Sequence, residues 1–190
     1  TGGWFLYLSY ELAGQLEPRL TLPIDPEHPV AMATRVPAAV IVDHHTGQSF
    51  VLSEPDSAAC IDTISADLQW ILSQPQPQVS RSEHSSKEED PEHFIGAVEQ
   101  AKQHISDGDI YQANLSRQWQ APAHGKKAWE LYSRLCAANP APFAGLASYG
   151  VGQGLDQPFA IISSSPERLM AVRDGQVDTR PIAGTRPRHS

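Results

Sequence analysis

The stretch GDIYQANLS, residues 108–116, joins a predicted helix to a run of alternating side chains. Asp90 and Pro91 suit the start of that helix, because aspartate caps helix N-termini and proline fits the first turn. Gly108 suits its C-terminal cap. Residues 110–119 then alternate in the manner of a strand, with one apolar and one polar face. The predicted core face comprises Tyr111, Ala113, Leu115 and Trp119, and the polar face Gln112, Asn114, Ser116 and Gln118.

The remaining patterns predict further strands, helices and turns. Predicted strands span residues 2–10, 37–42, 48–52, 145–149, 159–163, 169–172 and 177–180, and predicted helices span 56–72 and 129–138. Turn sequences at residues 43–47 and at Asp174-Gly175 join strands that follow each other directly. Antiparallel hairpins mixed with helices predict an α+β fold, with mostly antiparallel sheets and flanking helices.

Composition divides the chain into three parts. Residues 74–89 contain prolines, serines and charges with almost nothing apolar, which predicts an exposed linker. Residues 1–73 and 90–190 are then separate portions of the fold. Because the sequence starts at Thr1 and leads at once into a predicted strand, we expect it to begin inside a longer chain.

Charge and hydropathy exclude several classes of protein. The formal net charge is −8 without a basic patch, which argues against a nucleic-acid partner. The apolar stretches are too short to cross a membrane, and no signal-peptide pattern is found. Cys60 and Cys136 are far apart in sequence and predict two reduced thiols in a cytoplasmic protein.

Four short segments together carry a resemblance to a known family. They are GDIYQANLS (108–116), NPAPF (139–143), SSPER (164–168) and TRPIAGTRPR (179–188). In order and spacing they resemble the chorismate-utilising enzymes, which include anthranilate, aminodeoxychorismate, isochorismate and salicylate synthases. The resemblance covers most of the chain and is weakest over residues 20–90. It implies an anthranilate synthase component I-like fold, incomplete here, with residues 90–190 as the start of the chorismate-binding domain.

The resemblance assigns Glu167 as a general acid. The C4 hydroxyl of chorismate is a poor leaving group and needs a proton as it departs. In the family, the glutamate of the Ser-Pro-Glu motif delivers that proton, and Ser165 and Pro166 would fix where the carboxylate points. The alternative is structural: Ser165 caps a helical turn and Glu167 lies in its first turn.

Four other positions complete the predicted catalytic and substrate-binding set. In the hydroxylating members of the family, the position that matches Gln112 looks to be a lysine that activates water. By this resemblance, glutamine implies ammonia as the nucleophile. Gly184 and Thr185 would bring backbone N–H groups and a hydroxyl close to the substrate ring, since glycine permits close approach. Ala183 lies beside them in the predicted substrate-binding segment.

A candidate effector pocket also follows from the resemblance. Asn139, Pro140 and Phe143 match a segment that borders an inhibitory tryptophan pocket in anthranilate synthases, although the motif here departs from theirs. Tyr10 and Glu11 match the facing strand end on the N-terminal side.

The branch of the family is left between alternatives. Asn114 and Thr179-Arg180 resemble aminodeoxychorismate synthase component I, which aminates C4 toward 4-aminobenzoate and folate. Ala183 stands where some members of that branch carry a lysine that attacks C2, which keeps anthranilate synthase component I as an alternative. A non-catalytic fragment that binds a partner or an effector is a third reading.

The resemblance also implies partners and a cofactor. Chorismate is the expected substrate, and a glutamine amidotransferase subunit (component II) is the expected source of ammonia. Mg²⁺ is the expected cofactor, with ligands after residue 190 and none within these residues. We therefore expect the 190-residue chain by itself to be inactive.

Overall fold

The computed structural model describes residues 2–23, 25–26, 28–75, 85–122, 127–150, 158–182 and 187. The chain divides into two compact units, Thr1–Pro77 and Gln78–Ser190. The division falls inside the predicted linker, of which residues 76–84 lie outside the described residues. The predicted domain boundaries stay predictions.

The first unit contains two antiparallel strand pairs and one long helix. Its elements are β1 (Gly3–Leu8), a 3₁₀ turn (Tyr10–Leu12), α1 (Ala13–Leu16), β2 (Ala31–Val36), β3 (Ala38–Asp43), β4 (Gln48–Ser53), a second 3₁₀ turn (Pro55–Ser57) and α2 (Ala59–Ser73). Strand β1 pairs with β2, and β3 pairs with β4. Strand β2 was not predicted. The first strand was predicted to start one residue too early and to end two residues too late, because the chain turns at Tyr10 into the 3₁₀ segment.

The turn between β3 and β4 confirms the predicted hairpin. The Asp43 carboxylate accepts the backbone N–H groups of His45 at 2.8 Å and Thr46 at 3.2 Å, and Gly47 adopts a φ of 70°. The Thr46 hydroxyl, followed by these backbone donors, lowers the pKa of Asp43. This aspartate therefore supplies the acceptor that the tight turn needs.

The second unit alternates short strand pairs with two helices. Its elements are β5 (Lys87–Glu88), α3 (Pro91–Asp107), β6 (Trp119–Gln120), α4 (Ala128–Ala138), β7 (Phe143–Tyr149), β8 (Phe159–Ser165), β9 (Ala171–Arg173) and β10 (Gln176–Asp178). The antiparallel pairs are β5–β6, β7–β8 and β9–β10. The left-handed residues Asp174 and Gly175 form the predicted turn of the last hairpin.

Helix α3 begins and ends where the sequence predicts. The Asp90 side chain accepts the backbone N–H of Glu92 at 3.0 Å, and Pro91 occupies the first turn. At the other end, Gly108 adopts a φ of 82° and its N–H bonds to the carbonyl of Ile105. Both caps are local interactions, so they are readable from the sequence.

The prediction of a strand over residues 110–119 is wrong for most of its length. Residues 110–118 are irregular, and only Trp119–Gln120 forms a strand. The predicted core face is also wrong, because Tyr111 is 101% exposed and Leu115 is 42% exposed. A strand exists through hydrogen bonds to a neighbour. Within the described residues, no strand pairs with 110–118.

Arg117 connects the two ends of the segment that runs from Glu88 to Trp119. Its guanidinium pairs with Glu88 and lies over the rings of Phe94 and Trp119, at 5.4 and 5.1 Å from their centroids. The backbone of Glu89 and Gln118 adds a hydrogen bond of 3.0 Å next to the β5–β6 pair. These contacts fasten both ends of residues 89–118.

Strands β7 and β8 form the longest contact in the second unit. Seven residue pairs link them, and the rings of Tyr149 and Phe159 stack at one end with centroids 5.0 Å apart. Among the described residues, Tyr149 is the one hydrophobic residue that is classed as buried, at 6% exposure. The antiparallel pairs and helices confirm the predicted α+β class.

Two further observations concern the described residues. Cys60 and Cys136 are half-buried free thiols. No helix in the described ranges is both long enough and apolar enough to cross a membrane.

Replacing Asp90 with alanine should destabilise the second unit. The variant loses the acceptor at the start of α3, and caps of this kind contribute about 1 kcal/mol. Urea unfolding would measure the loss. Asp90→Asn keeps an acceptor at the same position and should unfold like the wild type. Equal stability of Asp90→Ala and wild type would contradict the assigned cap.

Candidate active site

The β7–β8 pair brings two of the four sequence motifs together. In its register Phe143 lies opposite Ser165 and Ala144 lies opposite Ser164. The Ser164 hydroxyl donates a hydrogen bond to the carbonyl of Asn139, the residue that ends α4. The predicted site residues Asn139, Pro140 and Phe143 are therefore adjacent to the SSPER segment.

A tight turn follows β8 and carries Glu167. The Ser165 hydroxyl donates to the Glu167 carbonyl at 3.0 Å and accepts the Glu167 N–H at 3.3 Å. No helix starts between β8 and β9. The alternative in which Ser165 caps a helical turn is therefore wrong. The serine instead holds the backbone of the glutamate directly.

The Glu167 carboxylate reaches the fourth motif. Its Oε1 accepts the backbone N–H of Ile182 at 3.2 Å. Nearby, the Thr179 hydroxyl donates to the carbonyl of Leu169 at 3.3 Å. The chain before residue 183 is therefore fastened to the Glu167 turn at two points. Ala183, Gly184 and Thr185 lie outside the described residues, and their predicted roles stay predictions.

One arginine follows Glu167 in this turn, and another belongs to the fourth motif. The Arg168 guanidinium lies 5.2 Å from the centroid of the Phe143 ring. Arg180 is 83% exposed at its side chain and pairs with Asp178 at 3.3 Å. We call the group formed by Asn139, Phe143, residues 164–168 and Ile182 the SPER junction.

Gln112 and Asn114 belong to the second unit but are not part of the SPER junction. Both are exposed and lie in the irregular segment that leads to Arg117. Neither side chain makes a hydrogen bond within the described residues. The predicted catalytic role of Gln112 stays a prediction.

The predicted effector residues are divided between the two units. Glu11 in the first unit lines a cavity of about 190 Å³, with Tyr7, Ser9, Asp25, His28, Pro29 and Val30 as the other lining residues. Tyr10 is 80% exposed. Asn139, Pro140 and Phe143 lie in the second unit, and a single effector pocket stays a prediction.

Sequence reasoning missed three parts of the SPER junction. It assigned no role to Ser164, to Arg168 or to the N–H of Ile182. The register of β7 against β8 would have placed Phe143 beside the SSPER segment, because antiparallel strands bring sequence-distant residues into contact. The bond from Ile182 to Glu167 has no signal of its own in the sequence.

One observation bears on metal binding. The described residues contain no group of three or more histidine, cysteine, aspartate or glutamate side chains arranged to hold an ion. The magnesium cofactor and the position of its ligands stay predictions.

Comparison with known proteins relates this chain to one family of enzymes. The sequence matches the family model for chorismate binding enzymes over residues 1–190. An anthranilate synthase component I-like protein from Synechocystis sp. is 34% identical over 98% of this chain and 37% of its own length. An aminodeoxychorismate synthase component 1 from Klebsiella aerogenes is 32% identical over 79% of this chain and 31% of its own.

The fold has a counterpart among solved structures. The crystal structure of anthranilate synthase component I from Streptococcus pneumoniae TIGR4 aligns with a TM-score of 0.70 at 24% identity. The alignment covers 93% of this chain and 41% of that one. The predicted anthranilate synthase component I-like fold is confirmed. The chain spans roughly a third to two-fifths of the length of these three proteins.

Removing the Ser164 hydroxyl should loosen the SPER junction. Ser164→Ala leaves the Asn139 carbonyl without its donor and should cost about 1 kcal/mol of unfolding free energy. Ser163→Ala is the matched control, because the neighbouring hydroxyl makes no hydrogen bond within the described residues. Chemical denaturation of both variants checks the difference, and equal stabilities would argue against the Ser164–Asn139 bond.

Proposed function

Because this chain belongs to the family of chorismate binding enzymes, we propose that it is part of an enzyme that aminates chorismate at C4. The product would be 4-amino-4-deoxychorismate, a precursor of 4-aminobenzoate and folate. This is the reaction of an aminodeoxychorismate synthase component I, and relatives with that name support the assignment. We assign the whole reaction to full-length proteins of this kind, because the chain covers only 31% and 30% of the length of these two relatives.

The reaction exchanges a hydroxyl for an amine. The C4–O bond of chorismate breaks, and the oxygen leaves as water after it takes a proton from the Glu167 carboxyl group. The nitrogen of ammonia bonds to the ring and loses a proton, which restores the acid. A positioned carboxylic acid contributes to such a step because hydroxide is a poor leaving group.

The observation that carries this proposal is the hydrogen bonding of Glu167. Ser165 fixes its backbone, and Ile182 donates its N–H to Oε1. Within the described residues Oε2 has no partner, and we assign proton delivery to that oxygen. The donor Ile182 directly precedes Ala183, Gly184 and Thr185, so the acid lies at the start of the predicted substrate-binding segment.

Gln112 supports ammonia as the nucleophile. An amide cannot act as the base that takes a proton from water. Ammonia is nucleophilic as the neutral molecule, so it needs no such base. We propose that a glutamine amidotransferase subunit supplies the ammonia. The designation component 1 in the relatives' names supports the existence of a second component. The two free thiols suit a reducing compartment, and we propose the cytoplasm.

Amination at C2 is the second candidate, favoured by Ala183. An alanine cannot form the covalent bond to C2 that a lysine could form. An enzyme without that bond could add ammonia directly at C2, as an anthranilate synthase component I does, and several relatives carry that name. We retain C4 because Asn114 and Thr179-Arg180 match that branch.

Mg²⁺ enters the proposal only as a cofactor of the longer protein. The described residues contain no group of three or more histidine, cysteine, aspartate or glutamate side chains that could hold it. We propose that its ligands follow residue 190, and we derive no step through the metal.

A product assay tests the proposal. The protein expressed from its complete reading frame would receive chorismate, ammonium and Mg²⁺, and a lyase would then convert any 4-amino-4-deoxychorismate to 4-aminobenzoate. Formation of 4-aminobenzoate would support C4 amination. Fluorescent anthranilate would move the protein to C2 amination, and the absence of both products would refute amination. The 190-residue chain, assayed in parallel, is expected to form neither product.

Glu167→Gln should lower kcat without a comparable change in KM. The amide keeps an oxygen acceptor for the Ile182 N–H but has no acidic proton, and general acids contribute about 100- to 10,000-fold. Steady-state kinetics with chorismate would measure the loss. Glu99→Gln is the control, since Glu99 is exposed on α3 and contacts only Lys102 among the described residues. Wild-type turnover by Glu167→Gln would remove Glu167 from the proton step.

A further inference from the structure

Arg168 lies next to the proposed acid but points to a different partner. Its guanidinium lies over the Phe143 ring, 5.2 Å from the centroid. Phe143 is the first residue of β7 and lies opposite Ser165 in the ladder. The side chain of Arg168 therefore contacts the β7–β8 strand pair, although Arg168 itself lies in the turn after β8.

The turn is thereby held on both sides of Glu167. On the N-terminal side, the Ser165 hydroxyl bonds the backbone N–H and carbonyl of Glu167. Pro166 restricts the backbone between them. On the C-terminal side, the anchor is the guanidinium of Arg168, which lies over the Phe143 ring. Glu167 is exposed, so burial does not fix its side chain.

The position of the Glu167 carboxylate can be measured independently of the reaction. Oε1 of Glu167 accepts the N–H of Ile182 at 3.2 Å. If the turn shifts, this bond lengthens and the Ile182 amide loses its acceptor. The exchange of that single amide with solvent therefore reports the position of the carboxylate.

We propose that Arg168 is a positioning residue for Glu167, and that it acts through the contact of its guanidinium with the face of the Phe143 ring. The inference rests on the proposed function, in which Glu167 delivers a proton. Arg168 takes no part in the proton transfer. Because a guanidinium stacks on an aromatic face and an ammonium is a compact, strongly hydrated charge, lysine should not replace it fully.

Amide hydrogen exchange of Ile182 in the protein expressed from its complete reading frame is the direct test. Arg168→Met should raise the exchange rate about two- to fivefold, the range expected for one exposed cation–π contact. Phe143→Leu should raise it equally, and the double variant should add little, because both remove the same contact. Phe143→Trp keeps an aromatic face and should exchange like the wild type, as a check that the strand pair tolerates substitution.

Reference measurements separate local from global effects. The Glu89 amide, bonded to Gln118 in the same unit, should exchange equally in all variants. Glu167→Ala removes the acceptor and sets the upper limit for Ile182. Arg173→Met is the matched control, because Arg173 is an exposed arginine of the following hairpin and contacts no aromatic ring of the described residues.

Steady-state kinetics give the second readout. Arg168→Met should lower kcat several-fold more than it raises KM, and Arg168→Lys should recover only part of the loss. Wild-type exchange of Ile182 in Arg168→Met would overturn the inference. Full recovery by lysine would also overturn it, since charge would then suffice. A wild-type protein that forms no aminated product refutes the proposed function instead, while the exchange result still decides the positioning of Glu167.

Discussion

The register of β7 against β8 is the constraint on which the candidate site depends. It places Phe143 opposite Ser165, so the residues that follow β8 return to the residues that precede β7. Because successive side chains of a strand alternate between faces, a slip of one residue would turn the Ser164 hydroxyl away from Asn139. The same slip would separate Arg168 from Phe143. The stacked rings of Tyr149 and Phe159 at the far end oppose such a slip.

Local chemistry explains which parts of the fold were predictable. The caps of α3 at Asp90 and Gly108, and the turns at Asp43 and at Asp174-Gly175, each depend on residues close in sequence. Residues 110–118 show the limit of such reasoning. Their alternation is real, but a strand also needs a partner, and no pattern within one segment supplies the identity of its neighbour. The sequence did not predict strand β2, although this strand pairs with β1 over its full length. Here the pairing, and not a local pattern, defines the strand.

The candidate site divides in the same way. Glu167 was selected by its motif, and its role as an acid stays a prediction. The structure adds two hydrogen bonds from the Ser165 hydroxyl to the backbone of Glu167. The contacts of Ser164 with Asn139 and of Glu167 with Ile182 span 25 and 15 residues. Such contacts arise only when strands and turns are assembled, so the motifs could be recognised in the sequence while their connections could not.

The environment of Arg117 restricts how this sequence can diverge. One planar group meets two aromatic rings and the Glu88 carboxylate at once, a combination that no other side chain reproduces. An isolated exchange of Arg117 would leave a glutamate without its cation and two rings without their cover. We therefore expect positions 88, 94, 117 and 119 to change together among homologous sequences, and their joint variation would trace this cluster through the family.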